Sequence, residues 1–285
     1  MTITALKVAS SLAAAALVPA GLAGSMQPNG GSGDIRALPG VATVLVLPGP
    51  ITYPPPGEFL RGGLPEAAVP RRLVIGEPFE IMTYQVSSAE YALCVDAGAC
   101  RPAGERPNAS GERPVTGVSY LDADAYARWY SHTTGESWRL PTDPEWALAA
   151  AERFVGGIEG VVDDPKNPAR RWLSNYAAEA GAKRQPDPLP RMRGSFGVNS
   201  LGVKDLSGNV WEWTSTCYAR SSLAGDRSVL STVENCGVHV LEGVHRAYMS
   251  NFVSDGRSGG CAVGTPPDNL GFRLVRDRIG SAKTL

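Results

Sequence analysis

An excess of charge of either sign is absent from this chain. Its 285 residues carry 27 Lys+Arg against 28 Asp+Glu, a formal net charge of −1. That balance excludes a protein that holds nucleic acid mainly by neutralising phosphates. It equally excludes a polybasic membrane-surface protein. Histidine is scarce: His132, His239 and His245 are the only three, and no two stand at a His-x-x-x-His spacing. No zinc-type spacing, phosphate-cradling glycine loop or Ser-His-Asp order appears. Beyond about Val155 no helical periodicity is sustained. Gly 33 and Pro 23 are plentiful instead, together about a fifth of the chain, which predicts many turns and few long helices. With 43% apolar residues, the chain can bury a full-sized core.

Residues 1–23 read as a secretory signal. Lys7 is its only charge, Val8 to Val18 is an apolar stretch too short to span a bilayer, and Pro19 precedes a Gly21-Leu22-Ala23 cleavage site. Residues 24–40 form a flexible lead-in, 41–277 one domain, and 278–285 a tail. The expected product is exported, periplasmic in a bacterium, with no membrane span once the signal is removed. Five cysteines fit an oxidising compartment. They allow many connectivities. Pairing neighbours gives Cys94 with Cys100, and Cys217 with Cys236 across a polar, loop-like stretch, leaving Cys261 over.

Val41 to Leu47 and Phe79 to Val86 read as strands. Ser87 and Glu90 form a capping box that opens a helix to about Val95. Ser119 caps a second helix, Leu121 to about His132, with Leu121, Ala125, Tyr126, Trp129 and Tyr130 as its apolar face and Gly135 as its stop. Thr142 and Glu145 box a third, with Pro144 in its first turn. The class is α+β, with much irregular backbone.

Four stretches in order resemble the sulfatase-modifying-factor, or formylglycine-generating-enzyme-like, family: PVTGVS (114–119), WRLPTDPEW (138–146), NSLGVKDLSGNVWEWT (199–214) and NLGFRLVR (269–276). The resemblance implies a single C-type-lectin-like domain with low regular secondary structure. It also implies calcium, held by the Asp205 and Glu212 side chains with the Leu206, Gly208 and Val210 carbonyls. Hard oxygen ligands on a loop that turns at a glycine suit that cation. Asn175 and Tyr176 resemble the start of a second calcium loop, with Asp187 a weak partner acid.

The founding enzymes of the family oxidise a substrate cysteine with O₂ and Cu(I), through a C-x4-C pair. Here the only cysteine after Gly237 is Cys261. The upstream positions near Asn251 and Gly256 are not thiols, and residues 242–248 replace the usual Gly-Gly-Ser-Trp stretch. The standard two-cysteine mechanism is therefore not expected. A second branch, which uses three histidines around iron, lacks its spacing. What remains at the implied active face is His245, Arg246, Tyr248, Met249, Asp255, Arg257 and Cys261. Of these, Cys261, His245 and Arg257 are the catalytic candidates. Cys261, His245 and Met249 together could hold copper, or Cys261 could be a reactive thiolate or inert packing.

The chain resembles two subgroups that lack the cysteine pair. One matures the pyoverdine chromophore; the other accompanies copper nitrite reductases, and the CVDAGAC loop and HRAYM segment look closer to the latter. The expected function is an exported maturation or accessory factor, an oxidoreductase acting on a periplasmic protein or peptide-derived substrate. A copper nitrite reductase is the candidate partner. A non-catalytic, calcium-stabilised ligand- or protein-binding module is the alternative. A third reading, a two-cysteine oxidase, needs Cys236 beside Cys261 and so would break the Cys217–Cys236 bridge.

Overall fold

The computed structural model describes residues 40–104, 111–154, 190–243 and 270–278, together with the backbone of 247–248. In chain order the strands are β1 (Thr43–Val46), β2 (Gly49–Tyr53), β3 (Glu58–Arg61), β4 (Leu64–Glu66), β5 (Arg71–Ile75), β6 (Phe79–Met82), β7 (Trp138–Arg139), β8 (Trp211–Leu223), β9 (Val229–Glu242), β10 (Ala247–Tyr248), β11 (Leu270–Gly271) and β12 (Val275–Asp277). The helices are α1 (Ser88–Asp96), α2 (Tyr120–Thr134) and α3 (Asp143–Ala150). Strand and helix are mixed, as expected for an α+β class. No helix among the described residues is long and apolar enough to cross a membrane.

The helices start where local chemistry predicts. Ser87 Oγ accepts from the Glu90 amide at 3.1 Å, and the Glu90 carboxylate accepts from the Ser87 amide at 2.7 Å. Thr142 and Glu145 repeat the arrangement at α3. A cap of this kind stabilises a helix by about 1 kcal/mol. α2 stops at Gly135, φ 73°, a left-handed position that lacks a Cβ penalty.

The buried face of α2 differs from the predicted one. Asp122, Ala123, Tyr126, Ala127 and Tyr130 are buried, whereas Leu121 is 46% exposed. Asp122 turns the helix: its carboxylate accepts from the amide and hydroxyl of Ser119 and from Arg101.

One sheet runs β1-β6-β12-β7 and β2 pairs with β5. The larger sheet runs β10-β9-β8-β3-β4, with β11 parallel to the start of β8. The stretch between Cys217 and Cys236, expected as a loop, is the body of the β8–β9 hairpin. Its turn closes where the Ala224 amide donates to Ser228 O at 2.9 Å and Asp226 accepts from the Ser228 amide and hydroxyl.

Trp146, Val203 and Leu206 pack with Val46, Phe79, Ile81 and Val275 in the core. A second layer stacks Tyr126 between Tyr91 and Tyr130, with Phe272 edge-on at 5.3 Å. At Gly271 an added Cβ would meet Val115 O at 2.6 Å, so only glycine lets β11 lie where it does.

Candidate functional site

Among the described residues, the loop entering β8 concentrates left-handed backbone at residues other than glycine. Asp205, Ser207 and Asn209 all take positive φ, at 60°, 59° and 65°. Asp and Asn tolerate this conformation best, and such residues persist only where the surroundings over-determine them. Here they do. The Asp205 carboxylate accepts from the amides of Gly194 and, at 2.8 Å, Phe196. Asn209 exchanges hydrogen bonds with the backbone of Arg191, at 2.9 and 3.1 Å. Ser207 donates to Arg153 O. Segment 190–197 is thereby clamped to segment 205–209.

Seven residues after Asp205, Glu212 is fully buried. Its Oε1 accepts from Gln85 Nε2 at 2.8 Å and Arg273 Nη2 at 2.7 Å. Its Oε2 accepts from Trp146 Nε1 at 2.8 Å and Arg273 Nε at 2.6 Å. Arg273, also fully buried, reaches the carbonyls of Met82, Thr83 and Lys204 with its remaining hydrogens. One bidentate pair therefore ties β8, α3, the connection between β11 and β12, and the segment after β6 together. Two donors on each oxygen fill the roughly four acceptor sites of a carboxylate.

That geometry answers the calcium expectation for Asp205, Leu206, Gly208, Val210 and Glu212. A guanidinium already neutralises Glu212, and Asp205 is turned onto backbone amides. As arranged, the Asp205 and Glu212 carboxylates are already engaged by protein donors and are not turned toward a cation. Chelation with EGTA is expected to move the melting temperature by less than about 2 °C, below the effect of a 1 kcal/mol change. A drop of about 10 °C restored by calcium would contradict this reading.

The sequence profile of the sulfatase-modifying factor enzyme 1-like domain matches residues 36–278. The chain belongs to that family. It is 32% identical over 196 residues to the formylglycine-generating enzyme of Streptomyces coelicolor, covering 62% of this chain and 57% of that enzyme. It is 30% identical over 169 residues to the inactive C-alpha-formylglycine-generating enzyme 2 of Mus musculus, covering 58% and 49%. The matched region thus spans about half the length of these relatives. Among solved structures, PvdO from Pseudomonas aeruginosa is similar in fold, with a TM-score of 0.53 at 21% identity over 82% of this chain and 94% of that one.

The other residues expected at the family's active face, His245, Met249, Arg257 and Cys261, lie outside the described residues, as do Asn175, Tyr176 and Asp187. Their flanks do not. Tyr248 closes β10 on β9, and Leu270 opens β11 on β8, so both described ends of segment 249–269 enter one sheet. Among the described residues no three His, Cys, Asp or Glu side chains converge as a metal site. Cys94–Cys100 and Cys217–Cys236 are both disulfides, as pairing of neighbours predicts. The Arg273 partnership escaped the sequence reading. Its signal was a lone cation inside the apolar run LGFRLV, which calls for a buried counter-charge.

His239, unremarked in the sequence, is 3% exposed and stacks on Tyr120 at 3.5 Å with an interplanar angle of 9°. Burial holds its pKa below the ordinary 6.5. The folded state therefore binds fewer protons than the unfolded one. Its contribution is intact above about pH 6.5 and is lost as pH falls below that value. Glu80 and Glu145, whose hydrogen bonds keep their pKa values low, act only further down, below about pH 5. Urea midpoints should fall between pH 7 and pH 5.5, and His239→Phe should flatten that interval while leaving the lower limb.

Proposed function

We propose that this chain is an exported maturation or accessory factor with an oxidoreductase role on a protein or peptide-derived substrate. It works without the two-cysteine mechanism. The observation that carries this reading is the family match over 36–278 in a chain with one cysteine, Cys261, after Gly237. Cys261, His245 and Arg257 are the residues proposed to act. Cys261, His245 and Met249 would hold copper, whose soft character suits thiolate and thioether ligands. A copper nitrite reductase is the proposed partner class.

The test compares exported fractions of the source organism with and without this chain by mass spectrometry. The reading expects one protein or peptide-derived species to differ by lost hydrogen or gained oxygen. The purified protein should convert that species in air, and Cys261→Ser should not. Identical fractions, or conversion that survives Cys261→Ser, would overturn it. A second reading, a binding module without catalysis, is favoured by the likeness to a relative named as inactive. It expects no converted species, and a partner retained equally by wild type and Cys261→Ser.

A further inference from the structure

The two disulfides sit in opposite surroundings. Cys94 and Cys100 are 0% and 8% exposed, so that pair is sealed from solvent. Cys236 is exposed on β9, and Cys217 is half-buried on β8. The hairpin is irregular at that point: Tyr218 opposes Asn235, but Cys217 opposes His239, so β9 carries three extra residues beside the disulfide. Bulges of this kind re-aim side chains and recur next to active sites. Asn235 Oδ1 accepts from the Gly237 amide at 3.0 Å and braces the bulge.

His239 is the residue this irregularity sets against Cys217. Directly opposed residues of an antiparallel pair lie with their Cβ atoms about 5 Å apart on one face. The imidazole is close to the carbonyls of Ser215, Thr216 and Cys236, and Asp124 of α2 acts on it through space. Asp124 is itself paired with Arg128. Tyr120 covers one ring face, and burial keeps that phenol protonated. The His239 Nδ1 is buried with no hydrogen-bond partner among the described residues. A buried polar atom without a partner is costly, so its retention asks for a reason.

We propose that Cys217–Cys236 is a thiol-exchange site for a low-molecular-weight thiol, with His239 as the positioning residue for the Cys217 sulfur. The proposal is independent of the function proposed above. A thiolate attacks Sγ of the exposed residue Cys236. A new S–S bond forms, the Cys217–Cys236 bond breaks, and its electron pair leaves on Cys217 Sγ. The neutral imidazole donates a hydrogen bond to that thiolate, which then takes a proton from solvent. A second thiolate attacks the small-molecule sulfur of the mixed disulfide and releases Cys236. In sum, two thiols are oxidised to one disulfide and the protein disulfide is reduced by two electrons. In the reverse direction the Cys217 thiol returns its proton to solvent, the imidazole again donates to the thiolate, and the thiolate closes the bond. Exposed disulfides are the labile ones of a structure, and the sealed pair serves as an internal reference.

The experiment uses the native protein with its residual thiol blocked, glutathione as the probe, and alkylation with mass spectrometry to time each pair. Cys217–Cys236 should open about tenfold or more faster than Cys94–Cys100. His239→Phe, which keeps the stack on Tyr120, should slow that opening severalfold and remove the part of its pH profile not due to glutathione ionisation. His239→Asn, which keeps a donor, should restore most of the rate. Both pairs opening together at the rate of global unfolding would overturn the proposal. So would a fast Cys217–Cys236 step that both His239 variants leave unchanged at every pH. Far-UV circular dichroism and the urea midpoint at pH 8 show whether each variant is folded when timed.

Discussion

Arg273→Met is expected to cost about 3–5 kcal/mol of folding free energy, the usual result of removing one partner of a buried ion pair. The methionine roughly fills the volume, so the loss is electrostatic. Glu212 would remain charged in the core with only Gln85 and Trp146 as donors, and the carbonyls of Met82, Thr83 and Lys204 would lose theirs. Domains of this kind have only about 5–15 kcal/mol to lose, so the variant should be near the edge of folding. Glu212→Gln/Arg273→Met should recover part of the loss, because no unpaired charge remains. Urea unfolding of the three proteins measures both quantities. An Arg273→Met variant within about 1 kcal/mol of wild type would mean that Glu212 has another counter-charge, and would reopen the calcium reading.

Trp213→Ala is expected to cost about 3–5 kcal/mol by a different route, the cavity left by a large side chain. Trp213 is fully buried, donates from Nε1 to Val118 O at 2.9 Å, and meets Tyr120 edge-on at 6.1 Å. Tyr120 in turn stacks on His239, so the hole would open toward the hairpin bulge. Trp213→Phe separates the contributions. It leaves most of the volume and strips the Val118 carbonyl of its donor, for about 1–3 kcal/mol. Near-UV circular dichroism with urea midpoints tests this. Equal losses in the two variants would show that the hydrogen bond, not the packing, dominates.

Short-range chemistry was legible in the sequence. Ser87 with Glu90, and Thr142 with Glu145, announce helix starts because each bond closes within one turn. Gly135 ends α2 for an equally local reason. The Cys94–Cys100 disulfide was legible because a spacing of 6 residues makes encounter easy, and Cys217–Cys236, 19 apart, followed as the next neighbouring pair. The four family stretches carried the fold, and the profile match over 36–278 agrees. The β8–β9 hairpin was not legible. Ser215, Thr216, Ser221, Ser222, Ser231, Thr232 and Asn235 break the apolar alternation, and much of β9 is exposed, so the strands are held by each other and by β3 rather than by a buried face. The α2 face was misread because Asp122, a cap partner, is pulled inward against its polarity. The Glu212–Arg273 pair joins residues 61 apart, and no periodicity reports such a contact. In the candidate site, Glu212 was found by motif, whereas its Arg273 partner was not. His239 gave no local signal at all.

The measurement that tests the functional account most directly is a free-thiol titration with Cu(I) binding, on the exported form of the wild type and on Cys261→Ser. The account predicts one thiol reactive in the folded protein and tight copper binding that the substitution abolishes. A thiol reactive only after denaturation, with no copper bound by either protein, would contradict it and leave the binding module as the function of this fold.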